Sequence, residues 1–268
     1  MSLVSISDQE FFHFQRFIFE AAGITLSGTK KALVSGRLAK RLAHFNLDSF
    51  SAYFRLLMSE QANDEVQTAV DLLTTNETYF FREPKHFDFL REQALLAAQR
   101  AQPFRVWSAA SASGEEAYSI AMVLADCMGS TPWEIVGSDI STRVLHDAAA
   151  GHYSLQRTRN IPAPYLRRFC LKGNGPYEGT LLIESSLRSK VRFVQVNLNA
   201  QLPELGRFDL IFLRNVMIYF SEDTKRQVVN RVLLPLKSGG HFCVGHSESL
   251  NGITSALQPL APSIYRKP

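Results

Sequence analysis

The apolar positions of the first 75 residues recur at helical spacing, and no β-rich run interrupts them. The first helix is predicted to begin at the capping box Ser7-Asp-Gln-Glu10 and to end at Gly23. Three further helical patterns follow, over residues 29–45, 48–58 and 63–73. The pattern therefore predicts a small all-helical unit at the start of the chain.

From Phe104 onward, short apolar runs typical of strands alternate with amphipathic segments typical of helices. Strands are predicted over 104–110, 134–139, 208–213, 240–245 and 263–267, and helices over 115–128, 141–150 and 222–234. This alternation is typical of an α/β fold with a parallel sheet and right-handed crossovers. Within it, a short helix and two strand patterns, 179–184 and 191–196, predict a small antiparallel β-subdomain inserted over residues 162–196.

These patterns divide the chain into three parts. Residues 1–83 form the all-helical N-terminal domain, residues 84–103 contain a linking helix, and residues 104–268 form the α/β domain with its insertion. Pro84 suits the first position of the linking helix, because a proline there loses no intrahelical hydrogen bond.

The segment Arg105–Ile120 combines a strand, a turn of small residues and the start of a helix, which is where doubly wound folds bind ligands. The next predicted strand ends at Asp139, 25 positions after Gly114 (139 − 114). That spacing is near the ~20 expected of a carboxylate that accepts hydrogen bonds from a ribose. The turn lacks GxGxxG, which disfavours a pyrophosphate ligand and thus a NAD-dependent oxidoreductase, and favours S-adenosylmethionine. The alternative is that Asp139 and Ser141 only cap the following helix.

Two further stretches are polar where a core would be apolar. Leu73–Arg82 places five polar side chains in a row before three aromatic residues and an arginine. The predicted strand 208–213 ends in Arg214-Asn215, with Tyr219 beyond it. Because ligands in open α/β sheets bind at the carboxyl ends of strands, these side chains are expected in the same cleft as Gly114.

Charge and composition narrow the class of protein. The net charge is +4, and no acidic residue lies between Ala21 and Leu47, where Arg37, Lys40 and Arg41 follow one helical pattern. That helix presents either a solvated face or a dock for an acidic partner. No run of ~18 uncharged apolar residues and no apolar leader is present, so a cytoplasmic protein without membrane insertion is expected. The three cysteines and seven histidines form no metal-ligand spacing, and no metal is predicted.

Taken together, five motifs resemble the CheR chemotaxis receptor methyltransferases. They are Leu72-Leu-Thr-Thr-Asn-Glu-Thr-Tyr-Phe-Phe-Arg82, Val106-Trp-Ser-Ala-Ala-Ser-Ala-Ser-Gly-Glu-Glu116, Ser138-Asp-Ile140, Asn197-Leu198 and Arg214-Asn-Val-Met-Ile-Tyr-Phe220. The resemblance implies a Rossmann-like S-adenosylmethionine methyltransferase sheet. It implies methyl transfer to glutamate side chains of chemoreceptor cytoplasmic helical bundles, which forms glutamyl methyl esters and leaves S-adenosylhomocysteine. Departures are small: Ala117 stands where the family usually has proline, and Ser111 where it often has cysteine or alanine.

The resemblance also implies a set of site residues. Cofactor contacts are expected at Asn76, Thr78, Arg82, Glu116, Asp139, Asn197, Leu198, Leu213, Arg214 and Asn215. Arg82 and Tyr219 are expected to position the substrate carboxylate, and no general base is needed because a glutamate of ordinary pKa is ionised at neutral pH. An N-P-P-Y loop, expected of a base-amino methyltransferase, is absent. A regulatory module that binds the cofactor, or a methyltransferase for another protein carboxylate, stays open.

Partners follow from the same comparison. Arg37, Lys40 and Arg41 are expected to dock the acidic receptor bundle, while no nucleic acid partner is expected and the protein is predicted to be a monomer. The glycine-bearing turn Lys172–Gly179 is similar to the loop of family members that are tethered to a peptide at the receptor's C-terminus. An exposed strand edge can accept such a peptide as an extra strand.

Overall fold

The computed structural model describes residues 5–59 and 63–268. Its helices are α1 (Asp8–Ala22), α2 (Lys31–His44), α3 (Phe50–Leu57), α4 (Asn63–Leu73), α5 (Pro84–Gln99), α6 (Glu115–Cys127), α7 (Thr142–Ala150), α8 (Ala163–Phe169), α9 (Ser185–Arg188) and α10 (Glu222–Leu233). Its strands are β1 (Phe104–Ala109), β2 (Trp133–Asp139), β3 (His152–Ser154), β4 (Cys170–Lys172), β5 (Thr180–Ile183), β6 (Val191–Gln195), β7 (Phe208–Leu213), β8 (Leu236–Val244), β9 (Gln258–Ala261) and β10 (Ile264–Arg266). Among these residues, no helix has both the length and the apolar content that a bilayer span requires.

Helices α1 to α4 enclose their own hydrophobic core around Phe14, Ile18, Leu38 and Phe50. The predicted capping box is confirmed, since the Ser7 side chain accepts from the Glu10 amide and the Glu10 carboxylate accepts from the Ser7 amide. Gly23 ends α1 in the left-handed region, at φ 72°. The chain then leaves α1 as an extended segment, which makes a single β-bridge between Ile24 and Phe220.

The α/β part contains a seven-stranded sheet in the order β6-β2-β1-β7-β8-β10-β9. Alternate residues of β1 face opposite sides: Val106 packs in the core that contains α5 and α6, and Trp107 packs in the core that contains α10. From β1 the chain builds outward through β2 to β6, and then returns to the other side of β1 to form β7. Between β1 and β7 lies the point where the strand order reverses, and a cleft is expected there.

Three details of the predicted topology are corrected. The segment 191–196, predicted as part of the inserted subdomain, forms β6, which pairs parallel with β2 at the edge of the main sheet. Gly137 makes room for this pairing, because a Cβ at that position would lie 2.6 Å from the Phe193 ring. The inserted sheet instead has the order β3-β5-β4 and begins at His152, in a three-residue strand too short for an apolar pattern.

The third correction concerns the C-terminus, where the sheet is not parallel. β10 is antiparallel to both β8 and β9, and β9 had no predicted counterpart. All four residues of β9 are exposed, so no buried periodicity marked it. The predicted linking helix is α5, with the bounds Pro84–Gln99, and it packs on the sheet through buried residues such as Phe87 and Leu90.

Candidate active site

A pocket opens where the carboxyl ends of β1, β2 and β7 meet the helical unit. It encloses about 920 Å³ of space between protein atoms, including the part that is open to solvent. Its walls carry 23 residues. The lining residues are Ala22, Ile24, Thr74, Thr75, Asn76, Glu77, Thr78, Tyr79, Arg82, Phe87, Ala110, Ala112, Glu116, Asp139, Ile140, Val196, Asn197, Leu198, Arg214, Asn215, Val216, Tyr219 and Phe220. We call this space the main pocket.

The main pocket brings together all but one of the residues that were expected to contact the cofactor or the substrate. These are Asn76, Thr78, Arg82, Glu116, Asp139, Asn197, Leu198, Arg214, Asn215 and Tyr219. Leu213 is the exception, because it is fully buried in the core on the α10 side of the sheet. Asn197 lines the pocket, but its side-chain amide is already engaged: Nδ2 donates to the Ala21 carbonyl, 2.7 Å, and Oδ1 accepts from the Asn199 amide, 2.9 Å.

Asp139 lies at the carboxyl end of β2 and is 5% exposed. One carboxylate oxygen accepts from the Ala112 amide, 2.9 Å, and the other from the Ser141 amide, 3.0 Å. Burial raises the pKa of Asp139, and these backbone donors oppose the rise. The N-cap of α7 is Ser141, whose hydroxyl accepts from the Val144 amide. Asp139 therefore connects the loop after β1 to the loop after β2. Because it also lines the pocket, its carboxylate can accept a hydrogen bond from a ligand hydroxyl.

Arg214 follows β7 and is a buried cation, with a side chain only 2% exposed. Its Nη1 lies 3.0 Å from Glu116 Oε2, its Nη2 lies 3.0 Å from Glu83 Oε2, and it also donates to the Arg82 carbonyl. Burial raises the pKa of Glu116, while Arg214 and the hydroxyl of Ser108 favour its ionised form. Arg214 therefore links Glu116 of α6 to residues Arg82 and Glu83 before α5, and these contacts fix this part of the pocket wall.

Glu248 is a site residue that the sequence analysis missed. Its carboxylate accepts three backbone N–H groups, from Asn215 at 2.8 Å, Met217 at 2.8 Å and Gly245 at 2.7 Å. Asn215 has φ 57°, a left-handed conformation that is costly for most residues and is stabilised here by this carboxylate. The available signal was positional, because Glu248 follows the predicted strand 240–245 at its carboxyl end.

Left-handed backbone gathers around the pocket at residues other than glycine. Phe81 has φ 55°, Glu83 φ 60°, Ala110 φ 62° and Ala112 φ 48°. Such conformations cost of order 1–3 kcal/mol each and persist only where surrounding contacts fix them. Arg82 lies between two of these residues, so the direction in which its side chain leaves the backbone is set by the fold.

Arg82 and Tyr219 both line the main pocket. The Arg82 guanidinium lies over the Tyr79 ring, 5.5 Å from Cζ to the ring centroid, and donates to the Glu77 carbonyl at 3.2 Å. Within residues 5–59 and 63–268, no carboxylate forms an ion pair with Arg82. Burial raises the pKa of Tyr219, and the charge of Glu77 adds to that rise. This arrangement provides one unpaired guanidinium and one protonated phenol for a substrate.

Two family descriptions match nearly the whole chain. Residues 76–265 match "CheR methyltransferase, SAM binding domain", and residues 9–74 match "CheR methyltransferase, all-alpha domain". The chain belongs to the CheR methyltransferase family. It is 39% identical over 265 residues to the "Chemotaxis protein methyltransferase" of Escherichia coli (strain K12), covering 98% of this chain and 92% of the relative. It is 40% identical over 260 residues to the "Chemotaxis protein methyltransferase 2" of Pseudomonas aeruginosa, covering 96% and 92%.

Membership in the CheR family makes S-adenosylmethionine the cofactor, and the main pocket fits it. Asp139 offers a carboxylate for ribose hydroxyls, 25 positions after Gly114 (139 − 114). Apolar side chains of Ile140, Val196 and Leu198 line the wall beside it, as a purine ring requires. Glu115, the other carboxylate of the first turn of α6, is fully buried, pairs with Arg157 and does not line the pocket.

The basic helix of this CheR chain uses most of its charge internally. Arg41 forms a two-pronged ion pair with Glu65 of α4. Arg37 donates to the Leu73 and Thr74 carbonyls, at 3.2 and 2.9 Å, and so braces the segment that carries the pocket wall. Lys40 is exposed, and its ammonium forms no ion pair within the described part of the chain.

Three side chains with metal-ligating atoms meet beside the CheR site, although their spacing in sequence gave no such signal. Glu83, His86 and His246 place one such atom each within 4.8 Å of one another. His86 is fully buried, and burial lowers its pKa to about 4. His86 Nε2 shares a hydrogen bond of 2.8 Å with the Ser263 hydroxyl, and His86 Nδ1 lies 3.4 Å from Glu83 Oε2. The Glu83 carboxylate of this group already forms an ion pair with the guanidinium of Arg214.

Proposed function

We propose that this protein transfers methyl groups from S-adenosylmethionine to glutamate side chains of chemoreceptors, as part of chemotactic adaptation. The observation that carries the proposal is the composition of the main pocket. Its sheet end offers Asp139 and apolar walls to a nucleoside. Arg82, which forms an ion pair with no carboxylate of residues 5–59 and 63–268, and Tyr219 line the same pocket. A carboxylate substrate matches an unpaired guanidinium.

The proposed reaction requires no general acid or general base from the protein. When bound, S-adenosylmethionine supplies a methyl group whose carbon–sulfur bond breaks with its electron pair left on sulfur, as the substrate oxygen forms the new carbon–oxygen bond. The substrate glutamate is ionised near neutral pH and needs no base. The residues of the pocket contribute by positioning the carboxylate in line and by excluding water from it.

Arg82 and Tyr219 are assigned positioning roles. Arg82 orients one substrate oxygen through a charge-assisted hydrogen bond, which leaves the other oxygen to attack. A grip on both oxygens would slow attack, because it would stabilise the charge that must be donated. Tyr219 keeps its proton, since its pKa is raised, and donates a hydrogen bond at the pocket mouth.

Docking is proposed at α2, in the all-helical domain of residues 1–83. Lys40 is exposed and Arg37 and Arg41 are partly exposed, so this helix has a basic face that complements an acidic receptor bundle. The helical domain and the α/β domain of residues 104–268 meet at the pocket, and α5 within residues 84–103 connects them. The protein is proposed to act as a monomer on its receptor.

A receptor C-terminal peptide is proposed to bind the inserted sheet. β4 is an edge strand of that sheet, and Leu171 at its centre is exposed. The following turn depends on Gly173, where a Cβ would lie 2.0 Å from the Tyr177 carbonyl oxygen. Added strands bind through main-chain hydrogen bonds at such edges. Titration with C-terminal peptides of the organism's receptors tests this; no binding by any of them would overturn it.

The experiment for the main proposal combines transfer and binding. The protein is incubated with labelled S-adenosylmethionine and receptor cytoplasmic fragments, and base-labile label on glutamate is mapped. Asp139→Asn should weaken S-adenosylhomocysteine binding by roughly 1.5–3 kcal/mol, as expected for a lost hydrogen bond with a charged partner. Cofactor binding without any base-labile product would support the regulatory module instead. Label on another protein's carboxylate would redirect the substrate assignment.

A further inference from the structure

Three carboxylates line the main pocket, and two of them are already satisfied. Glu116 faces the Arg214 guanidinium at 3.0 Å and accepts from the Ser108 hydroxyl at 2.6 Å. Asp139 accepts two backbone N–H groups. The third carboxylate is Glu77, in the segment that joins α4 to α5.

Glu77 differs from the other two in its surroundings. It is exposed at the pocket, and no cation forms an ion pair with its carboxylate within the described residues. The contact it makes with Arg82 runs through its backbone carbonyl and leaves the side chain unused. Its charge contributes to the raised pKa of Tyr219, another residue of the pocket lining. Within the described residues, Glu77 is therefore a carboxylate without an ion-pair partner, in the same pocket as Arg82 and Tyr219, which we propose position the substrate.

The cofactor changes its charge during the reaction that we propose. Its sulfur is a positively charged sulfonium before transfer and a neutral thioether afterwards. We infer that the Glu77 carboxylate is the counter-charge of the sulfonium, and that it makes the pocket prefer S-adenosylmethionine over S-adenosylhomocysteine. This inference rests on the proposed function.

The size of the effect follows from exposure. A solvent-exposed ion pair contributes at most about a fivefold change in affinity, and salt weakens it. The preference acts on product release, since loss of the sulfonium charge removes the attraction and leaves Glu77 uncompensated. Glu77 also repels the incoming substrate carboxylate, and the adjacent guanidinium of Arg82 offsets that repulsion.

Calorimetry with the two ligands tests the inference, because they differ at the sulfur by one methyl group and one charge. The dissociation constants of both are measured for the wild type, for Glu77→Gln and for the control Glu204→Gln, which alters an exposed glutamate outside the pocket. In Glu77→Gln, affinity for S-adenosylmethionine should fall about fivefold. Affinity for S-adenosylhomocysteine should stay unchanged, and the difference should shrink in 1 M salt. Glu204→Gln should match the wild type.

Two results would overturn the inference, and they are distinct from a failure of the proposed function. If Glu77→Gln weakens both ligands equally, Glu77 only shapes the wall. If neither affinity changes, Glu77 does not sense the cofactor. A wild-type protein that binds neither ligand would instead contradict the methyltransferase assignment itself.

Discussion

The main pocket has two walls that are built in opposite ways. The sheet wall carries Arg214, Asn215 and Glu116, whose polar atoms are held by partners within the fold, among them the Glu248 carboxylate. The segment wall, residues 73–82, carries exposed side chains such as Glu77 and Tyr79, and its guanidinium at Arg82 is held by one carbonyl and one ring.

The two walls therefore have different roles, one structural and one in binding the substrate. Because Arg214 of the sheet wall pairs with Glu116 and Glu83, that wall is a fixed scaffold, and removing one member leaves the others without their partner. The segment wall has polar side chains that are exposed to solvent, such as Thr75 and Glu77. Mutations should therefore cost stability and cofactor affinity on the first wall, and turnover or selectivity on the second.

The largest effect is expected for Arg214→Met. This change leaves the carboxylates of Glu83 and Glu116 buried without a cation, which should lower the free energy of unfolding by about 3–5 kcal/mol. Urea unfolding followed by circular dichroism measures the loss. The control Arg192→Met removes an exposed arginine of β6 and should change stability by less than ~0.5 kcal/mol. A loss below about 1 kcal/mol for Arg214→Met would mean that the sheet wall is not held by this cation.

A second effect of similar size is predicted for pH, through His86. Its pKa is about 4 in the folded protein and 6.5 in the unfolded chain, so the unfolded state binds more protons between these values. The stabilisation is complete above pH 6.5 and is lost as pH falls towards 4, about 3 kcal/mol in all at ~1.4 kcal/mol per pKa unit. His86→Gln should flatten this slope in a series of urea unfolding curves, and His146→Gln, at an exposed site, should not. Identical slopes in all three proteins would contradict a buried neutral His86.

Local rules predicted the parts of the site that lie next to their own signal. Asp139 ends one buried strand, and Arg214 and Asn215 follow another. The rule that ligands bind at strand ends predicted that they share a cleft, and all three line the main pocket. The capping box at Ser7 and the left-handed glycine at Gly23 likewise predicted where α1 begins and ends, since both motifs act within a few residues. These parts needed no knowledge of which elements touch.

The remaining features depend on contacts between distant segments. Glu83 meets Arg214 from 131 positions away (214 − 83), and Glu248 reaches back to Asn215 after β8 has been placed beside β7. The position of β6 at the sheet edge depends on a pairing with β2 that no periodicity encodes. For the same reason the sequence presented Arg41 as a free docking charge, although Glu65 neutralises it in the fold.

Arg82→Ala, on the segment wall, and Tyr219→Phe, at a second residue proposed to position the substrate, should lower kcat by about tenfold or more, since each removes a hydrogen-bond donor to the substrate carboxylate. Binding of S-adenosylhomocysteine should change by less than about threefold, and the urea midpoint should not move. Initial rates with receptor fragments and calorimetry with the product give the two quantities. Equal losses in turnover and product affinity would place these side chains in the scaffold, and the contrast between the walls would fail.

The smallest effect, about threefold, is expected at Lys40, and it separates docking from bracing on the same helix. Lys40→Glu should raise the receptor KM and leave kcat and product binding unchanged, because its exposed ammonium has no partner within the described residues. Arg37→Glu should raise KM and also weaken product binding, since it removes the donors to the Leu73 and Thr74 carbonyls behind the pocket. Lys190→Glu, before β6 at the opposite end of the sheet, is the matched control and should behave as wild type. Salt should reduce the Lys40 effect, because the screening length falls to ~3 Å at 1 M. If neither Lys40→Glu nor salt changes the receptor KM, the basic face of α2 is only solvated. The role of Arg37 would then be to hold the segment wall in place.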